Sequence, residues 1–210
     1  MPAIKVCGVT EKDDAISIAS LGVWALGFIF VPESPRYVDP EKVRDIVSHL
    51  RRRILTVGVF QNASFSEVRH IRDFCGLDLV QLHGEEDPSF CERLGGGVIK
   101  TFGVGEEVFS WEVEEYIPWV SYVLFDTVHA GKRGGTGVPF SWRLIVPLLG
   151  RIPRPVIVAG GLTAENVSYL LEEMHPFALD VNSGVEKAPG KKDLQKVREF
   201  IAVVQRKVGL

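Results

Sequence analysis

The sequence predicts an α/β fold in one domain spanning residues 1–210, a closed (β/α)8 or TIM barrel, and three observations carry that expectation. Short β-rich runs alternate with longer helical patterns along the whole chain, separated by Gly, Pro or Asp. About eight such pairs share the 210 residues, roughly 26 residues each, near the lower size limit for such a barrel. A doubly wound open sheet fits the alternation too, but no run reads as an edge strand and no dinucleotide glycine fingerprint follows the first one.

The strand candidates, in order, are residues 3–7, 24–29, 54–60, 77–82, 98–102, 122–126, 155–159 and 177–181. Helical patterns fill the gaps at 11–21, 40–50, 64–74, 88–94, 106–117, 141–149, 164–174 and 192–206. Asp39-Pro40, Asp87-Pro88 and Thr163 are start signals, because a side-chain oxygen can take the free N–H groups and proline suits a first turn. Arg51, Arg52 and Arg53 close the second helical pattern, where cations suit a helix C-terminus. Gly95 to Gly97 is expected to end the fourth.

Composition excludes several classes of function. With 46% apolar and 24% charged residues the chain can bury a real core, so disorder and fibrous structure are ruled out. The longest apolar stretch, residues 22–31, is about half a bilayer helix, and the start Met1-Pro2-Ala3-Ile4-Lys5 lacks a leader pattern, so a cytoplasmic protein without a membrane is expected. A balance of 24 Lys+Arg against 27 Asp+Glu gives no basic excess for nucleic acid, which leaves a small-molecule partner. Cys7, Cys75 and Cys91 are too few and too scattered for a disulfide framework or a zinc pair. Cys75 and Cys91 fall in or at the end of helical patterns and read as packing.

In a barrel the chemistry sits where strands run into loops. Parity on the first strand turns Ile4 and Val6 toward the helices and Lys5 and Cys7 inward, with Cys7 at the mouth. The same reasoning groups Gln81 with His83, Leu124 with Asp126, and Asp180 with Asn182. Each has a plainer reading: Cys7 as a small buried hydrophobe, Asp126 as a loop cap, His83 as a turn residue. Convergence of several strand ends on one cavity is what favours chemistry.

Glycine supplies a second signal. Gly160-Gly161 follows the seventh strand and Ser183-Gly184 the eighth, the two loops that hold phosphate in many such barrels, with a short helix expected after Ser183. The first half has no matching pair, so one phosphate per ligand is the simplest inference. The loop at 127–138, rich in Gly with Lys132 and Arg133, reads as an active-site lid or an ordinary surface loop. Arg36, in the stiff loop Pro32-Glu33-Ser34-Pro35-Arg36, either grips a carboxylate or lies in solvent. Lys100 and Lys5 are read as inward; such a lysine forms a Schiff base or pairs with an interior carboxylate.

Taken in order, eight dispersed segments resemble the phosphoribosylanthranilate isomerase family of tryptophan biosynthesis. They are Lys5-Val6-Cys7-Gly8-Val9-Thr10; Gly27-Phe28-Ile29-Phe30 with Ser34-Pro35-Arg36-Tyr37; Val57-Gly58-Val59-Phe60; Gln81-Leu82-His83-Gly84; Phe125-Asp126-Thr127; Gly134-Gly135-Thr136-Gly137 with Phe140-Ser141-Trp142; Ala159-Gly160-Gly161-Leu162 with Glu165-Asn166-Val167; and Asp180-Val181-Asn182-Ser183-Gly184-Val185-Glu186 with Pro189-Gly190-Lys191-Lys192-Asp193. The resemblance runs the full chain, with slight departures at Val6, Val9, Pro35 and Asn182. It implies an Amadori rearrangement of N-(5-phosphoribosyl)anthranilate to 1-(2-carboxyphenylamino)-1-deoxyribulose 5-phosphate, with no metal or organic cofactor.

Carried onto matching positions, the resemblance makes Cys7 the general base and Asp126 the general acid. Arg36 would hold the anthranilate carboxylate, and Gly160, Gly161, Ser183 and Gly184 the phosphate; His83 and Asp180 join the substrate-binding set. The expected partner is a phosphoribosyl small molecule, and the chain is expected as a monomer or homodimer. Three rivals differ in chemistry. The sister isomerase of histidine biosynthesis resembles this pattern but carries a carboxylate where Cys7 stands and grips two phosphates. A Schiff-base aldolase would use Lys100, and a phosphosugar-binding scaffold would bind without turnover.

Overall fold

Alternation along the first strand decides which way the sheet faces. In the computed structural model, which describes residues 1–50, 54–104, 110–129, 132–133, 144–207 and 209, Ile4 and Val6 pack in the apolar layer under the helices. Lys5 and Cys7 turn to the barrel interior, where Cys7 clusters with Ile29 and Val59.

Eight strands form the barrel: β1 (Ala3–Val6), β2 (Ala25–Ile29), β3 (Leu55–Phe60), β4 (Leu79–Leu82), β5 (Val98–Val104), β6 (Tyr122–His129), β7 (Val156–Val158) and β8 (Ala178–Val181). Each pairs in parallel with the next, and β8 returns to β1 with Ala3 opposite Ala178 and Lys5 opposite Asp180, so the sheet closes without an edge. Around it lie α1 (Lys12–Ser20), α2 (Pro40–His49), α3 (Phe65–Cys75), α4 (Pro88–Leu94), α5 (Ser110–Glu114), α6 (Val146–Leu149), α7 (Val167–Glu173) and α8 (Leu194–Lys207). Among the described residues no helix is long and apolar enough to cross a membrane.

Local chemistry sets several boundaries. Asp39 accepts from the Glu41 N–H and Asp87 from the Phe90 N–H, each ahead of a first-turn proline. Gly95 ends α4 in the left-handed conformation at φ 72°. Thr163 does not cap α7 as its sequence suggests. That helix begins at Val167, and the Asn166 side chain takes the turn's bonds instead, accepting from Thr163 N–H at 2.9 Å and donating to the Gly161 carbonyl at 2.8 Å. The polar tip of Asn166 thereby ties α7 to the loop above β7.

Two further expectations need correction. β6 runs past residue 126 to His129 and folds back on Lys132–Arg133 as an antiparallel ladder, so part of the expected lid is strand. Lys100 faces outward. Val98 packs in the layer under the helices while Ile99 lies inside the barrel, and Lys100 shares the parity of Val98. It donates to the Gly84 carbonyl at 2.8 Å and to Glu86 at 2.9 Å. An amine committed to that ion pair on the far side of the sheet has no access to a substrate in the barrel, which removes the Schiff-base rival. The Arg51 to Arg53 run, the start of the fifth helical pattern, residues 134–138 of the loop and the segment Phe140-Ser141-Trp142 lie outside the described residues.

The interior is graded along the barrel axis. Aliphatic side chains fill the end where the strands begin, including Ala25, Val57, Leu79, Ile99, Leu124 and Ile157. Trp24, Tyr122 and Phe177 close that end, with ring centroids 5.3 to 5.5 Å apart. Toward the other end the lining becomes polar, with Lys5, Gln81, Thr101, Asp126 and Asp180 all buried.

Candidate active site

A cavity of about 730 Å3 opens where the strands end, and eight of the nine site residues expected from sequence line it: Cys7, Arg36, His83, Asp126, Gly160, Gly161, Asp180 and Ser183. Gly184, next to Ser183, is the one that does not. A Cβ there would run into the Leu162 carbonyl, so only glycine lets the loop after β8 pack on the loop after β7.

Cys7 occupies the first residue past β1, 5% exposed and beside a buried ion pair. Lys5 Nζ donates to Asp180 Oδ2 at 2.7 Å across neighbouring strands, with the lysine side chain wholly buried. Gly27 on β2 makes room for the group: a Cβ there would stand 2.7 Å from the Cys7 sulfur and 3.2 Å from Lys5 Nζ. Burial pushes the Cys7 thiol above its ordinary range; Lys5 and Lys192 oppose that rise, and the Asp180 charge adds to it. Burial works against the Lys5 charge, yet Asp180 and Cys7 hold its ammonium above the usual lysine range. Asp180 is itself pushed up by burial, with Lys5 pulling it back. Its Oδ1 is sealed from solvent and has no hydrogen-bond partner among the described residues.

Asp126, 8% exposed, projects from β6 on the far side of the barrel from β1. His83 Nε2 lies 3.4 Å from its Oδ2. Behind the ring, Gln81 Nε2 sits 3.2 Å from His83 Nδ1 and 3.3 Å from Thr101 Oγ1. An amide nitrogen only donates, which assigns the proton of a neutral imidazole to Nε2, facing the carboxylate.

Arg36 reaches the cavity from the loop after β2, its backbone N–H held by Ser34 Oγ at 3.1 Å. Its stem lies over Gly8. A Cβ at Gly8 would stand 2.8 Å from Arg36 Cδ and 2.6 Å from Asn182 Oδ1, and the residue has φ +69°, so glycine is required twice over. The Arg36 guanidinium is paired with Glu186, from Nε at 3.0 and 3.1 Å and from Nη2 at 2.8 Å. Glu186 and Lys192 belong to the family-like segments of the sequence, but no sequence pattern assigns them a role. Both are buried, on a small hairpin of Glu186–Ala188 with Lys191–Lys192 that follows the eighth strand. Their signal was present as charges in a segment that returns to the barrel mouth, but only closure of the fold brings residue 186 to residue 36.

The glycine loops take the form expected of them. Gly160 and Gly161 have φ of 96° and 63°, conformations natural to glycine, directly after β7. A 3-10 turn covers Ser183–Val185 directly after Asn182. Two turns on the adjacent strands β7 and β8 thus border the cavity beside β6, the strand that carries Asp126.

The family described as N-(5'phosphoribosyl)anthranilate (PRA) isomerase matches residues 4–203. The N-(5'-phosphoribosyl)anthranilate isomerase of Thermotoga neapolitana is 44% identical over 203 residues, covering 96% of this chain and 97% of the relative. The crystal structure of phosphoribosyl anthranilate isomerase from Thermotoga maritima superposes with a TM-score of 0.87 at 36% identity, covering 100% of both chains. A crystal structure of phosphoribosyl anthranilate isomerase in complex with reduced 1-(o-carboxyphenylamino)-1-deoxyribulose 5-phosphate gives 0.83 at 35%, again over 100% of both. A barrel of this topology, a polar mouth carrying the expected side chains and similarity along the whole chain lead to one conclusion: the chain belongs to the N-(5'-phosphoribosyl)anthranilate isomerase family, the isomerases of that step in tryptophan biosynthesis.

Proposed function

We propose that the chain converts N-(5'-phosphoribosyl)anthranilate to 1-(2-carboxyphenylamino)-1-deoxyribulose 5-phosphate with Asp126 as general acid and Cys7 as general base. The observation that carries this reading is that a thiol from β1 and a carboxyl from β6, on opposite walls, share one cavity of about 730 Å3. The reaction needs that arrangement. A proton given to the ring oxygen lets the C1–O bond break, leaving a C1–nitrogen double bond. A base then removes the C2 proton, the C–H electron pair forms C1=C2, and the enaminol tautomerises to the ketone. The two proton transfers act on different atoms of the sugar.

His83 and Gln81 orient Asp126 toward the ring oxygen. Lys5 stabilises the thiolate that Cys7 must become, against a burial that favours the thiol. Asp180 lines the cavity and holds Lys5 with Oδ2, which fixes the ammonium beside Cys7 as it faces the sugar. Backbone groups at Gly160, Gly161, Ser183 and Gly184 hold the phosphate, and Arg36 the anthranilate carboxylate. Gripping the ligand at both ends aligns C1 and C2 between acid and base, so much of the acceleration is positional. The cellular setting proposed for this reaction is the cytoplasm.

The test is a coupled fluorescence assay that follows consumption of phosphoribosylanthranilate by the purified chain. Steady consumption is expected, and a substrate lacking the phosphate should lose turnover as well as affinity. No consumption, or equal turnover of the truncated substrate, would contradict the proposal.

A further inference from the structure

We propose that Glu186 is a positioning residue for recognition of the substrate's ring carboxylate, acting through the guanidinium of Arg36. This rests on the reading of Arg36 given above. The planar guanidinium presents its donors in a fixed fork. Glu186 occupies the Nε–Nη2 edge with three contacts of 2.8 to 3.1 Å. Among the described residues no hydrogen bond commits Nη1, and Arg36 lines the cavity, so the remaining corner faces a ligand in a set direction.

Glu186 is itself held from three more directions. Lys192 Nζ donates to its Oε1 at 2.9 Å and the Gly190 N–H to the same oxygen at 3.1 Å, while the Lys196 ammonium donates to its carbonyl at 2.9 Å. The Glu186 and Lys192 side chains are 4% and 0% exposed, so neither swings into solvent. Burial opposes the Glu186 charge, but Arg36 and Lys192 hold its carboxyl below the usual range. Two cations against one carboxylate leave the group net positive, as an anionic ligand needs. Lys192 also donates to the carbonyl and side chain of Asn182 at 3.2 and 3.0 Å, at the entry to the glycine loop after β8. The brace thus links Arg36 to the start of the loop assigned to the phosphate.

Charge and geometry make opposite demands here, which makes the role testable. Removing the negative charge of Glu186 raises the positive potential around Arg36 and, by electrostatics alone, strengthens binding of a carboxylate. If Glu186 acts by fixing the guanidinium, the same change weakens it.

The experiment is calorimetric titration with two unreactive ligands, the reduced product analogue bearing the ring carboxylate and its counterpart with a plain phenyl ring. The parent should prefer the carboxylated ligand, and Glu186→Gln should cut that preference about tenfold while the phenyl ligand, which reports a folded site, binds within about twofold of the parent. An unchanged or increased preference overturns the proposal. If Glu186→Gln fails to bind either ligand, Glu186→Asp, which keeps the charge but withdraws the carboxylate by one methylene, should show an intermediate loss, and parent-like preference there overturns the proposal equally. Arg36→Met separates the two levels. Loss of preference in Arg36→Met but not in the Glu186 variants rejects positioning alone, whereas retained preference in Arg36→Met rejects the assignment of Arg36 together with it.

Discussion

The two ends of the barrel solve different problems with the same strands. Where the strands begin, Trp24, Tyr122 and Phe177 close the cylinder over an aliphatic layer, an arrangement that contributes stability and is built from aromatic and aliphatic side chains. Where they end, five polar or charged residues are buried in the lining, and two of them, Lys5 and Asp180, form the ion pair that borders the aliphatic layer. The difference shows that stability and chemistry are separated by a few residues along each strand. On β1 the step from Ala3 in the aliphatic layer to Cys7 at the mouth is four residues. On β8 the step from Ala178 to Asp180 is two.

Substitutions at each end should break the comparison in opposite ways. The largest effect on stability is expected at the boundary. Lys5→Met leaves the Asp180 carboxylate buried without its cation, which should cost about 3–5 kcal/mol in denaturant unfolding and also lower turnover, since the thiolate loses its neighbour. The double variant Lys5→Met with Asp180→Leu should recover most of the stability without recovering turnover. Recovery of both would mean that the pair serves packing alone.

Trp24→Ala, at the closed end, should cost about 2–3 kcal/mol, less than a fully buried aromatic because Trp24 is partly exposed. Turnover measured well below its melting temperature should match the parent; a marked loss would show that the ends are coupled.

The smallest effect is in pH dependence. The Glu186 carboxyl is held below its ordinary 4.5, so the unfolded chain binds this proton more readily than the folded one. Its contribution to stability is therefore present above about pH 4.5 and lost as pH falls through the lower, folded value. Melting temperatures of the parent and Glu186→Gln should differ at neutral pH and converge in acid. A difference that widened on acidification would reverse the assigned direction.

Much of this division was legible in the chain. The alternation of Ile4 and Val6 with Lys5 and Cys7 set the inner face of β1, because one set is aliphatic and the other is not. The same logic failed at Lys100. Val98, Ile99 and Phe102 put apolar residues on both faces of β5, so alternation could not choose the inner one, and Glu86 decided the matter in three dimensions. The extension of β6 to His129 was hidden because Asp126 looks like a strand terminator, although the β-branched Thr127 and Val128 continue the run. Glu186 stayed silent for a different reason. Its partner Arg36 is 150 positions away, and no local pattern encodes a contact made by closing a barrel.

The central claim is that Cys7 and Asp126 carry the two proton transfers at the open end. It is tested most directly by single-turnover fluorescence decay of phosphoribosylanthranilate with enzyme in excess, comparing the parent with Cys7→Ala and Asp126→Ala. Both variants should bind the reduced product analogue nearly as the parent does while the decay slows by about a thousandfold or more. Decay within about tenfold of the parent in either variant would contradict the assignment of that residue.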